Sequence, residues 1–430
     1  MRGSRSNGER FQPLKVLEID LARAFEDAAA PAGHSRAFVL VRWNGSPVGT
    51  LELPYVDGRI TRQQVSWALE AEQCMGRRLL HMRLRARLLG DATGAADPLP
   101  TPTVATGAAD PLPAATVAIC TRDRPHDLRR CLESLVAARP SNCEILVVDN
   151  DPPDDATRRV AEDFRVRYAR EPHRGLNAAR RLATRLASGD VIAFTDDDVV
   201  VDEDWIRAIL RAFSAPRVGA ATGLTLALEL ETRPQYIFER VYGGHGRGFE
   251  PLLVDYTEIA PCAAGRLGSG ANMAFRRELA ADLDIFGLDL DVGTCTLSGG
   301  DTYALYRVLA AGYRVAYNPE ALVWHRHRPD YDGLRRTLHG YNVGGFSFLL
   351  RCWLTHGDWK APRVAASWLA HYHAREFWRS ILRRPRSLPV DLMLAQLRGV
   401  LASPLAYARS RTRGSDDPGS RSAEAVGDRV

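Results

Sequence analysis

Apolar and polar positions change rhythm twice along this chain. Over the first ninety residues a two-residue period stands out. The run A-F-V-L-V-R-W-N-G-S-P-V-G-T-L-E-L-P at residues 37–54 reads as a hairpin turning at Asn44 and Gly45, the pair best suited to positive φ. Residues 16–19 add a strand, and helical patterns follow at 61–75 and 77–89. From Thr116 short apolar runs alternate with helical stripes. Strands are expected at 116–120, 144–148, 166–168 and 191–195. The helices between them are marked by Leu128, Leu132, Leu135 and Val136, and by G-L-N-A-A-R-R-L-A-T-R-L-A from Gly175. Such alternation argues for a mostly parallel sheet covered on both faces. A helix at 204–213, a strand at 218–223, an irregular stretch at 229–257 and a strand in G-S-G-A-N-M-A-F at 268–275 continue the pattern. A helix from about Asp301 and strands at 313–317 and 321–327 complete it. Beyond Asp330 the pattern is helical to the end.

These changes divide the chain into an N-terminal α+β accessory module (1–90), a linker (91–115), an α/β catalytic domain (116–330), a helical region (331–410) and a polar, disordered tail (411–430). The linker boundary is the sharpest, because the nonapeptide A-T-G-A-A-D-P-L-P occurs at 92–100 and again at 105–113. A tract this rich in Pro, Gly, Ala and Thr buries too little apolar surface to fold and acts as a tether.

Composition changes this picture little. At 45% hydrophobic and 25% charged the chain can bury a core. Its net charge of +5 is almost entirely arginine, since Lys15 and Lys360 are the only lysines, so overall charge argues weakly for nucleic acid as a partner. Seven cysteines without a C-x-x-C pair suggest reduced core thiols and a cytoplasmic protein. The N-terminus lacks the apolar stretch of a secretory leader, and no uncharged run reaches membrane-spanning length. In the helical region, Arg363, Arg375, Arg379, Arg383, Arg384, Arg386 and Arg398 interleave with Trp368, Tyr372, Phe377, Trp378, Leu388, Leu392 and Leu401. This suits peripheral contact with the anionic inner face of a membrane, or helices packed on the catalytic domain with their arginines in water.

Candidate chemistry centres on V-I-A-F-T-D-D-D-V-V-V at 191–201. A strand apolar on both faces leads into Asp196, Asp197 and Asp198, whose mutual repulsion calls for water or a cation to screen it. The D-x-D spacing of Asp196 and Asp198 lets both carboxylates turn toward one hard divalent ion. The alternative is a solvated acidic turn in which Asp198 or Asp204 caps the next helix. The first strand ends in C-T-R-D-R-P without G-x-G-x-x-G, which disfavours a dinucleotide oxidoreductase, and the absence of G-x-x-x-x-G-K-[ST] removes the P-loop enzymes.

The succession V-A-I-C-T-R-D-R-P, I-L-V-V-D-N, G-L-N-A-A-R, F-T-D-D-D, G-S-G-A-N-M-A-F-R-R, G-G-D-T and V-W-H, spanning about residues 116–328, resembles the family 2 glycosyltransferases of the GT-A fold. The resemblance implies an inverting, hexosyltransferase-type enzyme that moves a sugar from a nucleoside diphosphate donor to an acceptor hydroxyl. A glycan or lipid-linked acceptor in surface polysaccharide or glycolipid synthesis would fit the basic helical region.

Site residues follow from the resemblance. Thr121, Asp149, Arg180, Asp196 and Asp197 bind donor, with Asp149 on the nucleobase or ribose and Arg180 on the phosphates. Asp196, Asp198 and His325 hold Mn²⁺ or Mg²⁺. Asp301 is the catalytic base, and Gly268, Ser269, Gly270 and Asn272 form the floor under donor and acceptor. Several of these residues have a plainer reading. Asp149 could close an Asx-turn, Arg180 could lie on a solvated helix face, Asp301 could be an N-cap, His325 could be structural, and the glycines an ordinary tight turn. Many relatives carry Glu-Asp where this chain has Gly300-Asp301, so any contact made by that glutamate is missing. A non-catalytic nucleotide-sugar or glycan-binding scaffold and a nucleotidyltransferase are the competing functions.

Overall fold

The computed structural model describes residues 11–23, 27–72, 75–79 and 112–414. Most of the duplicated linker, part of the helical pattern at 77–89 and most of the polar tail lie outside the described residues. The chain divides into two compact units. The first comprises the described residues of Met1–Leu99 with Ala227–Gly244 and Arg326–Leu334, and the second comprises Leu112 to Leu226, His245–His325 and Arg335 onward. This corrects the contiguous division expected from the sequence. Two later segments join the N-terminal module, and the helical region belongs to the same unit as the sheet that precedes it.

In the first unit β1 (Leu14–Asp20), β3 (Arg36–Trp43) and β4 (Ser46–Pro54) form a sheet in the order β1-β3-β4, while β2 (Ala28–Ala29) pairs with β5 (Arg59–Ile60). The expected hairpin is present: Asn44 and Gly45 have φ of 48° and 80°, the two positive values its tight turn requires. β1 runs parallel to β3, a long-range pairing that no local pattern encodes. The helix Arg62–Ala71 starts at a capping box in which Thr61 and Gln64 satisfy each other's backbone donors. The later segments are tied in by specific polar contacts. Leu14 and Leu230 form a β-bridge, and the buried His327 lies 2.9 Å from Glu239 with its ring edge-on to Phe238.

The second unit is built on a mixed sheet of nine strands among the described residues. They are β6 (Ala115–Thr121), β7 (Cys143–Asn150), β8 (Arg167–Glu171), β9 (Val191–Thr195), β10 (Val199–Val201), β11 (Val218–Ala227), β12 (Leu252–Val254), β13 (Asn272–Arg276) and β14 (Arg314–His325). Their order is β10-β14-β11-β13-β9-β6-β7-β8, with β12 on β14. β6, β7, β8 and β9 are mutually parallel where they pair, and β13 runs antiparallel to both β9 and β11.

Strand alternation sends side chains into two separate cores. Val117, Ile119, Ile145, Val147 and Ala193 face the helices Pro125–Ala138 and Trp205–Arg211 on one side. Ala118, Leu146, Val148, Ile192 and Phe194 face Leu176–Leu186 and Gly300–Ala310 on the other. The chain leaves β6 toward β7 and β8, then returns to place β9 on the opposite side of β6. That reversal opens a crevice at the carboxyl ends of β6 and β9, where open α/β sheets bind ligands.

The helices Ala361–Trp368, Ala374–Ile381 and Val390–Gly414 also belong to this unit, as does Tyr331–His356 from Arg335 onward. The expected arginine and aromatic interleaving separates into two populations. Leu388 and Leu392 are buried and Trp368 stacks on Phe346, whereas Trp378, Ile381, Leu382 and Leu401 are exposed. No described helix is long and apolar enough to cross a membrane.

Candidate active site

Asp196, Asp197 and Asp198 follow directly on β9, and the crevice brings groups from β6 and β14 against them. Thr121, the last residue of β6, donates through Oγ1 to Asp197 Oδ2 at 2.7 Å. Arg124, just before the helix Pro125–Ala138, places Nη1 3.0 Å from Asp197 Oδ1 and 2.8 Å from Asp198 Oδ2. β14 pairs with β10 so that His325 stands opposite Val199, and its Nε2 lies 3.3 Å from Asp198 Oδ1. The solvated acidic turn is therefore not what forms, because Asp197 and Asp198 are each only 5% exposed. Nor does Asp198 cap the next helix. Asp204 holds that N-cap position, without a side-chain hydrogen bond.

Burial and crowding in this crevice raise the proton affinity of Asp196 and Asp197. Burial, then the charge of Asp198, pushes Asp196 up to about 7 against the pull of Arg180. Burial and Asp198 push Asp197 up to about 6, opposed by Arg124 and Thr121. Desolvation would lower the pKa of Arg124, but its partners Asp197 and Asp198 outweigh it, raise the pKa and hold the guanidinium charged. One guanidinium and one imidazole do not balance three carboxylates.

Asp196, Asp198 and His325 each present one ligand atom, all within 4.8 Å of one another. Two bonds of about 2.1 Å to a small divalent ion nearly span that separation, and the remainder lies within the reach of side-chain rotation. Two carboxylates and an imidazole form a donor set suited to Mn²⁺, with Mg²⁺ served by the carboxylates. The residues fit a divalent cation.

Asp149 lies within β7, paired with Thr121 on one side and Arg170 on the other. The Asx-turn alternative is thus corrected, and the turn falls on Asp151, whose φ is 47°. Asp149 Oδ2 accepts from the Tyr168 hydroxyl at 3.0 Å and Thr157 also bears on the carboxylate, while Oδ1 is buried and makes no hydrogen bond of good geometry among the described residues. Burial raises its pKa, opposed by hydrogen bonding from Tyr168.

On the other side of β9 lies a second polar group. Arg180, on the helix Leu176–Leu186, is 3% exposed, so the solvated-face alternative is corrected too. Its Nη1 is 2.7 Å from Asp291 Oδ2, and its charge also bears on Asp196 and Asp301. Asp301 is half-buried in the first turn of the helix Gly300–Ala310. Gly299 holds the N-cap position, so Asp301 is not the cap. Asp301 Oδ2 accepts from the Gly270 N–H at 2.8 Å and Oδ1 from the Thr302 N–H at 2.7 Å.

Gly268, Ser269 and Gly270 approach β13, whose first residue, Asn272, is registered against Thr195 at the foot of the acidic turn. A Cβ on Gly270 would stand 2.6 Å from Arg180 Nη2, so only glycine admits the guanidinium here. Ser269 Oγ is buried without a partner among the described residues. Asn272 does not line a floor, which corrects that expectation. It is fully buried, donates to the Leu224 and Ala321 carbonyls and accepts from Trp205 Nε1, so its amide joins the strands beneath the site.

Sequence reasoning passed over Arg124, Asn177 and Asp291. Arg124 left a faint signal, an arginine just before the proline that opens the first helix of the sheet domain. The other two left none.

With this geometry established, the comparisons place the domain. Residues 116–283 match the model of glycosyl transferase family 2, a match that falls within the mixed, mostly parallel sheet of the second unit. Among curated relatives, the chain is 26% identical over 245 residues to a glucosyl-dolichyl phosphate glucuronosyltransferase from Haloferax volcanii, covering 52% of this chain and 74% of that protein. It is 26% identical to the succinoglycan biosynthesis protein ExoM of Rhizobium meliloti, over 48% of this chain and 64% of that one. It is 29% identical to the pre-mycofactocin glycosyltransferase of Mycobacterium tuberculosis, over 57% and 49%. The chain thus spans from about half to three quarters of the length of these relatives. A solved mannosyltransferase from Pyrobaculum calidifontis, in complex with GDP-Man and Mn²⁺, aligns over 73% of this chain and 79% of its own, with 18% identity and a TM-score of 0.41.

Proposed function

We propose that this domain is an inverting, metal-dependent glycosyltransferase that moves a sugar from a nucleoside diphosphate donor to the hydroxyl of a glycan or lipid-linked acceptor. The observation that carries this reading is the convergence of three carboxylates and His325 at the end of β9, with Asp301 close by across Gly270. Asp196, Asp198 and His325 would hold Mn²⁺ or Mg²⁺. When bound, the cation supplies positive charge where the departing diphosphate gathers negative charge. Thr121 and Arg124 fix Asp197, so the turn keeps its shape while its neighbours face the ligand. Asp149 offers the buried Oδ1 to a donor N–H or O–H of the nucleobase or ribose.

Asp301 accepts the proton of the acceptor hydroxyl as that oxygen bonds to the anomeric carbon and the carbon–oxygen bond to the diphosphate breaks. Its two hydrogen bonds from backbone N–H groups hold the carboxylate in place. Attack opposite the leaving group inverts the anomeric centre. The acceptor class rests on the relatives, one named for glucosyl-dolichyl phosphate and another for succinoglycan. The exposed Trp378, Ile381 and Leu382 beside Arg375, Arg383, Arg384 and Arg386 offer an apolar and basic face to an anionic bilayer at the cytoplasmic side.

A panel of UDP- and GDP-hexoses, incubated with the full chain and Mn²⁺ or Mg²⁺, tests the reading. Release of nucleoside diphosphate from at least one member, abolished by chelation, is expected. Release unaffected by chelation sinks the metal-dependent mechanism.

A further inference from the structure

The helix that carries Asp301 begins at a residue with no side chain, and the space beside that residue is already filled. A Cβ on Gly300 would stand 2.3 Å from Asp291 Oδ2 and 2.5 Å and 2.6 Å from the side-chain amide of Asn177. The volume a side chain at position 300 would need is therefore taken by a carboxylate reaching in from the preceding loop and by an amide from the helix Leu176–Leu186. Asp291 holds this position in a conformation that disfavours any residue with a Cβ, at φ of 90°.

Several contacts keep it there. Its N–H donates to Thr296 Oγ1 at 3.0 Å, its carbonyl accepts from Thr294 Oγ1 at 2.7 Å, and the next carbonyl, of Val292, accepts from the Leu176 N–H at 2.9 Å. A strained residue fastened this thoroughly is one the fold over-determines. The carboxylate ends 2.7 Å from Arg180 Nη1, both groups almost fully buried. The far side of the same guanidinium faces Gly270, where a substituent would meet Arg180 Nη2 at 2.6 Å and Asp301 Cβ at 3.3 Å.

We propose that Asp291 brings in, from a separate loop, the carboxylate that position 300 lacks, and that it is a positioning residue for the catalytic base. Clamped by Asp291, Arg180 stands beside Asp301 without folding onto it. Released, the guanidinium can turn to either remaining carboxylate whose charge already acts on it, Asp196 or Asp301, and on Asp301 it takes up the oxygen that must receive the acceptor proton. The role rests on reading Asp301 as the base.

The test uses the full chain with Mn²⁺ and whichever UDP- or GDP-hexose it hydrolyses, comparing Asp291→Asn, Asp291→Gly, Gly300→Glu and the double variant Asp291→Gly/Gly300→Glu, with Asp301→Asn alongside. Both Asp291 variants are expected to lower kcat ten- to a hundredfold while KM for the donor stays within twofold. Gly300→Glu alone loses activity as well, because its Cβ meets the Asp291 carboxylate. The double variant moves the carboxylate to the helix and regains at least tenfold over either single change. Wild-type kcat in Asp291→Asn, a rise in KM alone, or a double variant no better than the singles overturns the role. Stability gives a readout that needs no donor: Gly300→Ala should lower Tm in the natural chain and less so beside Asp291→Gly. An equal loss in both backgrounds means the carboxylate does not fill that space and also overturns it. Full activity in Asp301→Asn removes the base reading and this role together, whereas an inactive Asp301→Asn beside an unaffected Asp291→Asn removes this role alone.

Discussion

The acidic turn after β9 and the pocket around Arg180 are both clusters of buried carboxylates at one sheet edge, and they differ in how their charge is balanced. In the turn, Asp196, Asp197 and Asp198 have one guanidinium in direct contact, that of Arg124, and one imidazole, while Arg180 acts on Asp196 from the neighbouring pocket. In the pocket, Asp291 and Asp301 share Arg180. Burial raises the pKa of Asp291, yet its arginine partner lies at 2.7 Å and its backbone is tethered on both sides. The pocket can remain as it is without help from solution. The turn cannot, and Asp196 and Asp197 rise to about 7 and 6 through burial first and the charge of Asp198 second. A self-contained cluster suits a fixed base, and a charge-deficient cluster suits a site that recruits a cation together with a diphosphate.

The largest effect should come from the pocket. Asp301→Asn keeps the shape and one of the two backbone contacts, because its amide nitrogen cannot accept from an N–H, and it cannot take up a proton, so transfer should fall by about 10²–10⁴-fold. Nucleotide binding, read as thermal stabilisation by nucleoside diphosphate with Mn²⁺, should persist. Transfer at the wild-type rate would show that the pocket is only structural.

In the turn, Asp198→Asn removes a ligand and one partner of both Arg124 and His325. Donor hydrolysis should fall by about 10²-fold or more, accompanied by loss of Mn²⁺ dependence. A variant that responds to Mn²⁺ as the natural chain does would erase the distinction between the two clusters.

The smallest effect concerns neither cluster. Co-sedimentation with anionic vesicles at low salt should weaken severalfold when Trp378 and Leu382 are changed to serine, with donor hydrolysis unchanged. A natural chain that stays in the supernatant rejects the membrane face.

Much of the sheet domain could be read from the sequence because its signals are local. The β9 run is apolar on both faces and β-branched, and the three aspartates follow it without a break. Asn44 and Gly45 specify their turn by backbone preference alone. What escaped depends on distance. Arg124 sits in the first loop and reaches carboxylates more than seventy residues away. Asp291 lies in a loop with no periodicity, and the sequence reads its partner Arg180 on the donor phosphates or on a solvated helix face, not as buried against a carboxylate. Asn272 looked like a floor residue because it follows Gly268, Ser269 and Gly270. Its amide is spent on Trp205 and two strand carbonyls, and no spacing rule foretells that. The parallel pairing of β1 with β3, and the joining of Ala227–Gly244 and Arg326–Leu334 to the first unit, are likewise contacts between segments that local periodicity treats as independent.

The claim that the turn is built for a divalent cation is tested most directly by the Mn²⁺-induced shift in Tm as a function of pH. Asp196 and Asp197 have folded-state pKa values raised above the ordinary carboxylate value. Their contribution to metal-free stability is therefore complete at low pH and is lost as pH rises through about 6 to 7. Cation binding needs the ionised forms, so Mn²⁺ should stabilise the chain little at pH 5.5 and by several degrees at pH 8. That gain should disappear in Asp198→Asn. A shift that is the same at both pH values, or that survives the substitution, would contradict the account.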